Sequence, residues 1–206
     1  MEELSRRLLE GINALQVPGT SQQQERLLAF LFLLQKWNRV YNLTAIRDLR
    51  EAIDLHLLDS LTVWPYLRGE RILDAGTGAG LPGIPLAIMS ENRNFTLVDR
   101  DAKKTRFVQQ AVLELGLRNV EVVTKRIEQF HSDPGFDLVV ARAYARLEEI
   151  LEVARQLLRS GGSILAQKGR IPEMEIENLA KCAIRVHSLD IPGLKVERHL
   201  IEITID

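Results

Sequence analysis

The sequence predicts a doubly wound α/β fold with a mostly parallel sheet, preceded by a helical lobe and closed by an antiparallel strand pair. From Arg71 onward, short apolar runs alternate with amphipathic helices, which is typical of repeated β-α units around a parallel sheet. Before that point, apolar residues recur at three- and four-residue spacing, as in helices. Near the end the alternation stops, and two strand-like segments flank Pro192-Gly193. The 206 residues suffice for a helical lobe, residues 1–67, and one compact α/β domain, residues 68–206.

The lobe is predicted to contain three helices, and two of them begin at residues that can cap a first turn, Ser21 and Asp48. The α/β domain is predicted to alternate strands with further helices. All predicted helices, in chain order, are 5–15, 21–39, 48–61, 82–90, 102–115, 147–158 and 172–187. The predicted strands are 71–75, 94–99, 119–124, 137–141 and 162–167, and the closing pair is 188–191 with 197–205.

Composition limits the class of partner and the compartment. The formal net charge is −1 and the pI is about 6.5, so any contact with nucleic acid must come from local basic patches. The single cysteine, Cys182, excludes an intramolecular disulfide and suits a reducing compartment. The N-terminal segment lacks a secretory signal, the apolar run 27–34 is too short for a membrane helix, and the four histidines lack metal-ligand spacing. We therefore expect a cytoplasmic protein without a membrane or metal partner.

A glycine-rich turn after the first predicted strand is the most informative stretch of the sequence. Gly78, Gly80 and Gly83 have the G-x-G-x-x-G spacing of dinucleotide-binding turns, in which a ligand approaches the backbone closely. Asp74, at the end of the strand, favours a different ligand, because its carboxylate would repel a pyrophosphate but attract the ammonium and sulfonium of S-adenosylmethionine. Asp99 closes the next strand, where it can accept hydrogen bonds from both ribose hydroxyls. The turn therefore favours S-adenosylmethionine over NAD.

Several further segments form a pattern that is more specific than the turn. They are 37–44 and 56–61 in the lobe, and 73–88, 97–107, 125–130, 140–147, 167–169 and 197–200 in the α/β domain. In these segments, and so over nearly its whole length, the chain resembles the bacterial small-subunit rRNA guanine-N7 methyltransferases, the RsmG or GidB family. The resemblance implies a class I S-adenosylmethionine-dependent methyltransferase with a Rossmann-like fold that acts on 16S rRNA.

The resemblance also implies a cofactor site at Gly76, Leu81, Ile127, Glu128 and Arg142. Ile127 and Glu128 follow the third strand, where they can meet the adenine through backbone and side chain. The Arg142 guanidinium would be repelled by a sulfonium, so it is directed in this interpretation at the methionine carboxylate, an RNA phosphate or the guanine O6. The predicted cofactor site comprises these five residues with Asp74, Gly78 and Asp99.

The residues present limit the methylation chemistry. Cytosine C5 methylation requires a cysteine nucleophile, but Cys182 lies in a predicted helix away from every strand end. Methylation of the adenine amino group usually goes with an Asn/Asp-Pro-Pro-aromatic turn after the fourth strand, where this chain has Ala141-Arg142-Ala143-Tyr144. Guanine N7 has an exposed lone pair and loses no proton, so in-line transfer needs positioning and no general base. No catalytic residue is predicted, and Arg142 and Tyr144 are candidates for positioning the guanine, Tyr144 by stacking.

Basic residues at the strand ends are the predicted RNA contacts. Parallel strands end at one rim, which also carries the cofactor turn, so basic side chains there can hold phosphates of the rRNA or of a ribosomal particle. Two other functions stay open at this point: a methyltransferase of a small molecule or protein, and an RNA- or ribosome-binding protein with little catalysis. The candidate RNA contacts are Arg100, Lys103, Lys104, Arg146, Lys168 and Arg170.

Overall fold

The computed structural model describes residues 1–142, 145–179 and 182–205, which form a seven-stranded sheet with helices on both faces. In chain order the strands are β1 (Arg71–Ala75), β2 (Asn94–Asp99), β3 (Val120–Thr124), β4 (Phe136–Arg142), β5 (Leu158–Lys168), β6 (Ala183–Ser188) and β7 (His199–Thr204). The strand order in space is β3-β2-β1-β4-β5-β7-β6. Strands β1 to β5 are parallel, whereas β7 runs antiparallel to β5 and β6. The order reverses between β1 and β4, so the switch point where such sheets bind ligands lies there.

The helices confirm the doubly wound class, with its N-terminal lobe and closing antiparallel pair. In chain order they are α1 (Glu2–Ala14), α2 (Ser21–Tyr41), α3 (Leu49–Ala52), α4 (Asp59–Leu61), α5 (Gly83–Met89), α6 (Ala102–Leu115), α7 (Leu147–Leu157) and α8 (Glu173–Asn178). A π-helix at Ile53–Leu58 separates α3 from α4. In the part of the chain that the structure describes, no helix is long and apolar enough to cross a membrane.

The lobe helices share a hydrophobic core with one face of the sheet, which we call the lobe face. Phe30 of α2 is fully buried and packs against Phe107 of α6, with ring centroids 6.0 Å apart. The same core contains Val140 of β4 and Leu165 of β5. The opposite face is covered by α7, whose apolar residues pack with Val139 and Ala141, the β4 residues on either side of Val140. A boundary at residue 67 stays a prediction.

The third predicted helix, 48–61, is present as an unbroken helical segment over 49–61, but its middle is a π-helix rather than an α-helix. Asp48 caps it as predicted, since its side chain accepts hydrogen bonds from the amides of Arg50 and Glu51. The chain then passes through the π-helix, and the Asp59 amide donates to the Asp54 carbonyl oxygen five residues back. Apolar spacing alone cannot distinguish one wide turn from a regular one.

The C-terminal helix prediction, 172–187, was wrong in its second half. Helix α8 ends at Asn178, and residues 183–188 form β6, the edge strand paired with β7. Ile184 and Val186 are β-branched, so pairing in the sheet suits them better than a helix. The first strand of the closing pair therefore precedes the predicted 188–191, whereas the second, predicted at 197–205, is confirmed as β7.

Candidate active site

The glycine turn after β1 is held by backbone hydrogen bonds to β2. The amides of Gly76 and Thr77 both donate to the Val98 carbonyl oxygen, at 2.9 and 3.0 Å. Gly78 has a φ of 58°, a left-handed conformation that is strained for a branched residue. A Cβ on Gly78 would meet only the Gly76 oxygen, at 4.0 Å. The space beside this backbone is therefore not filled by other described residues.

Asp74, at the end of β1, holds the turn through side-chain hydrogen bonds. It is fully buried, and its Oδ2 accepts hydrogen bonds from the Thr77 hydroxyl at 2.6 Å and the Gly83 amide at 2.9 Å. A Cβ on Gly83 would lie 2.5 Å from that oxygen, so the close approach requires glycine. Burial raises the pKa of Asp74 to about 6, although these hydrogen bonds lower it. Its Oδ1 is buried and has no hydrogen-bond partner among the described residues.

Asp99 is fixed at the end of β2 by two backbone amides. Its Oδ2 accepts from Gly78 at 2.8 Å, and its Oδ1 accepts from Asp101 at 2.8 Å. The carboxylate lies in the wall of a pocket of about 390 Å³, here called the cofactor pocket, which is large enough for a nucleoside. The wall consists of Gly76, Val98, Asp99, Arg100, Lys104, Lys125, Arg126, Ile127, Glu128, Ala145 and Glu149.

The structure brings together half of the eight predicted cofactor residues. Gly76, Asp99, Ile127 and Glu128 share the cofactor pocket. The other four lie around it: Asp74 and Gly78 shape the turn, Leu81 is buried in the core at 6% exposure, and Arg142 lines a second pocket.

The second pocket, here called the base pocket, also measures about 390 Å³ and lies between the lobe and the ends of β4 and β5. Asp59 of α4 is its buried anchor, at 2% exposure. Its Oδ2 accepts from Arg142 Nη1 at 3.1 Å, and its Oδ1 accepts from Arg198 Nε at 3.1 Å. Gln167 of β5 is 4% exposed, and its Nε2 donates to the Asp59 carbonyl oxygen at 3.0 Å. One lobe residue therefore holds three side chains of the sheet domain.

His56 of the π-helix lines the base pocket as a neutral imidazole. Burial is the main cause that lowers its pKa to about 4, and the nearby Arg142 charge adds to this. Its Nδ1 lies 3.2 Å from the Leu55 carbonyl oxygen, which only accepts, so Nδ1 carries the proton. Its Nε2 then accepts from the Thr44 hydroxyl at 3.0 Å. The imidazole thus has both nitrogens engaged.

The basic residues at the rim fall into two groups. After β4 and β5, Arg146 lies 3.3 Å from Glu148, Lys168 lies 3.2 Å from Glu175, and Arg170 lies 3.7 Å from Glu197. Lys168 is also largely buried and donates to the Ala145 carbonyl oxygen at 2.8 Å. After β2 and β3 lie basic residues that have no carboxylate within 4 Å in the described ranges. They are Arg100, Lys103, Lys104, Lys125 and Arg126.

Sequence reasoning missed most of the base pocket. No role was predicted for His56, Asp59, Gln167 or Arg198, although each lies in a segment that carries the family resemblance. Tyr144, predicted to stack on the guanine, lies outside the described residues. Across the described ranges, no three histidine, cysteine or acidic side chains are grouped as metal ligands.

A Rossmann-like sheet with an acidic, glycine-rich turn at its switch point defines a class I S-adenosylmethionine-dependent methyltransferase. Solved structures share this fold. They include a SAM-dependent methyltransferase from Aquifex aeolicus, with TM-score 0.58, 18% identity and coverage of 76% of this chain and 93% of that chain. M. jannaschii TYW2, solved in complex with AdoMet, has TM-score 0.56, 14% identity and coverage of 72% and 74%.

The family follows from sequence. Residues 23–201 match the family model described as rRNA small subunit methyltransferase G. A relative from Methylococcus capsulatus, named Ribosomal RNA small subunit methyltransferase G, is 56% identical over 95% of this chain and 96% of the relative. The relative in Coxiella burnetii is 46% identical, over 97% and 98%. The chain therefore belongs to the rRNA small subunit methyltransferase G family.

Proposed function

We propose that this protein transfers the methyl group of S-adenosylmethionine to N7 of one guanine in small-subunit (16S) rRNA, forming 7-methylguanosine and S-adenosylhomocysteine. Family membership supports the rRNA substrate and the cofactor. We further propose that the rRNA is met in the cytoplasm, free or within a ribosomal particle. In this proposal the α/β domain, residues 68–206, holds the methyl donor, and the lobe, residues 1–67, meets the rRNA together with the rim of that domain.

The observation that carries the N7 assignment is that the acid-base groups lining the base pocket are already engaged. Both oxygens of Asp59 face guanidinium groups, His56 Nε2 accepts from Thr44, and Lys168 pairs with Glu175. None of these described groups is placed to remove a proton from a substrate. Methylation of an amino group requires such a removal, whereas the N7 lone pair of guanine is already nucleophilic.

The protein's contribution is then to align the two reactants. When bound, S-adenosylmethionine would supply an electrophilic methyl group to the N7 lone pair and leave as S-adenosylhomocysteine, with the electrons of the broken carbon–sulfur bond on sulfur. The positive charge passes to the guanine ring. Holding such reactants in line can supply roughly 7–11 kcal/mol of the barrier reduction.

The cofactor pocket fits S-adenosylmethionine through three features. The Asp99 carboxylate at its wall can accept ribose hydroxyls, Ile127 and Glu128 flank the space for adenine, and the free Asp74 oxygen provides negative charge near the turn. We propose that basic residues of the rim hold rRNA phosphates, chiefly Arg100, Lys103 and Lys104. Of the other candidates, Arg146 and Arg170 contribute less because each faces an acid, and Lys168 least, because it is largely buried against Glu175.

Methyl transfer to defined RNA substrates tests the proposal. We expect labelled methyl groups to enter small subunits or their free rRNA from a strain lacking this gene, but not metabolite pools or protein. Mass spectrometry of the digested rRNA should find one new 7-methylguanosine. The rate should vary little between roughly pH 6.5 and 8.5, since no base must lose its proton. Label in another nucleotide, or in protein alone, would contradict the proposal.

A further inference from the structure

The base pocket lies next to the cofactor turn along the rim of the sheet, where the parallel strands end. Crossing the sheet from β1 through β4 and β5 to β7, the rim carries in turn the glycine turn, Arg142, Gln167 and Arg198. Arg142 and Gln167 are direct register partners on β4 and β5. Both follow, at two-residue spacing, buried residues of the lobe face, Val140 and Leu165, so both point to that face. A ligand in this pocket therefore meets their groups in a fixed order.

The two side chains offer opposite hydrogen-bonding groups. Arg142 uses Nη1 for Asp59 and the Leu55 carbonyl oxygen, which leaves the hydrogens on Nε and Nη2 for a ligand. Gln167 donates through Nε2 to a carbonyl oxygen, which fixes the orientation of its amide. Its Oε1 is then a buried acceptor, on a residue that lines the pocket, with no partner among the described residues. A buried unpaired acceptor indicates that a donor belongs there.

A guanine presents the matching groups in the matching order. Along its edge, N7 is followed by the O6 acceptor and then by the N1–H donor. With N7 toward the cofactor pocket, O6 falls toward Arg142 and N1–H toward Gln167. An adenine would instead turn an amino group to the guanidinium and an unprotonated nitrogen to the Gln167 oxygen, and both contacts would be unfavourable.

We propose that the base pocket selects guanine, with Arg142 donating to O6 and Gln167 Oε1 accepting from N1–H while N7 faces the methyl donor. This inference rests on the proposed function and names the residues that determine base specificity. Asp59 is a positioning residue in it, because it holds Arg142 through its carboxylate and Gln167 through its carbonyl oxygen. The lobe thereby contributes to base selection although the cofactor binds to the sheet.

The test uses small-subunit rRNA, ligated so that the modified position carries guanosine, inosine or 2,6-diaminopurine riboside. Inosine keeps O6 and N1–H and lacks only the 2-amino group, so we expect single-turnover methylation within about tenfold of guanosine. Diaminopurine keeps N7 but has an amino group at position 6 and no N1–H. We expect its rate to be at least about 100-fold lower. Equal rates for all three bases in the wild-type protein would overturn the inference, whatever the variants do.

The variant Gln167→Met isolates the second contact. It should lower the guanosine-to-diaminopurine rate ratio by about tenfold or more, while the affinity for S-adenosylmethionine stays within about twofold. Because the ratio is compared between variant and wild type, the different intrinsic reactivities of the two bases cancel. The matched control, Gln109→Met, changes an exposed glutamine of α6 and should keep the wild-type ratio. An unchanged ratio in Gln167→Met would remove Gln167 from base selection, whereas absence of methylation on guanosine by the wild type would instead contradict the proposed function.

Discussion

The cofactor pocket and the base pocket have the same volume but are assembled differently. Around the cofactor turn, the hydrogen bonds of Asp74 and Asp99 join residues at most 21 positions apart in sequence. In the base pocket, Asp59 bonds Arg142, Gln167 and Arg198, which are 83, 108 and 139 positions away. The cofactor turn is thus a local motif of one β-α-β unit, whereas the base pocket exists only when the lobe is packed on the sheet. Changes in the two pockets should therefore have separable effects.

The largest expected effect comes from breaking the long-range pocket. Asp59→Ala leaves two partly buried guanidiniums without their carboxylate, so we expect the free energy of unfolding to fall by about 3 kcal/mol. Affinity for S-adenosylmethionine should change much less than methyl transfer. Urea unfolding with isothermal titration measures both, and Asp190→Ala, at an exposed position, should cost less than about 0.5 kcal/mol. Loss of cofactor binding in a folded Asp59→Ala protein would show that the pockets are not separable.

The buried titratable groups at the two pockets, His56 and Asp74, should contribute to the free energy of unfolding with opposite dependences on pH. His56, whose pKa is lowered to about 4, favours the folded state above its ordinary value of 6.5, and this stability is lost as the pH falls toward 4. Asp74, whose pKa is raised to about 6, favours the folded state below its ordinary value of 3.8, and this stability is lost as the pH rises through 6. Each effect amounts to about 3 kcal/mol, at about 1.4 kcal/mol per pKa unit.

Variants separate these two opposing contributions. Relative to wild type, His56→Gln should gain stability on acidification from about pH 6.5 to about pH 4, because the penalty for the neutral imidazole is gone. Asp74→Asn should lose stability relative to wild type as the pH falls from about 6 to about 4. Urea unfolding at intervals of one pH unit measures both differences. If the free energy of unfolding depends on pH in the same way in all three proteins, neither group titrates as its burial indicates.

A local change in the cofactor pocket should leave the rest of the molecule intact. Asp99→Ala removes the proposed acceptor of two ribose hydroxyls, so the dissociation constant of S-adenosylmethionine should rise about 10- to 100-fold, or about 2 kcal/mol. RNA affinity should stay unchanged. Gly78→Val should weaken cofactor binding further, because it adds a branched side chain at a φ of 58°. Titration calorimetry measures this dissociation constant. A folded Asp99→Ala protein that binds S-adenosylmethionine with wild-type affinity would exclude Asp99 from the site.

The smallest effect concerns the two groups of basic residues at the rim. Lys103, from the group after β2 and β3, and Arg106, one turn further along α6, are exposed and have no carboxylate within 4 Å in the described ranges, whereas Arg146 and Arg170 face acids. Replacing the first pair with Gln should lower the salt dependence of RNA affinity by a slope of about one for each phosphate that is no longer neutralised. The second pair should change it less. Filter binding across a salt series distinguishes the pairs, and the reverse ranking would place the RNA beside β4 and β5.

The same difference explains how much the sequence could predict. The sheet, the turn at Gly78 and the position of Asp99 follow from short-range patterns: apolar alternation, glycines that permit left-handed φ, and an acid at a strand end. The base pocket has no such pattern, because the pairing of Asp59 with Arg198 depends on how the lobe packs. Residues 183–188 were missed for a related reason, since their strand exists only through pairing with β7.

The π-helix at Ile53–Leu58 makes the orientation of the lobe residue Asp59 sensitive to the insertion or deletion of a single residue in this segment. A π-helical hydrogen bond spans five residues, one more than in an α-helix, and each residue turns an α-helix by about 100°. Deletion of a single codon within 53–58 would restore a regular helix and rotate Asp59 relative to the segment before it. Either the carboxylate would then lose Arg142 and Arg198, or the helix before it would lose its present packing. An insertion or deletion of one residue could therefore change which base is methylated without any change in the methyl-donor site.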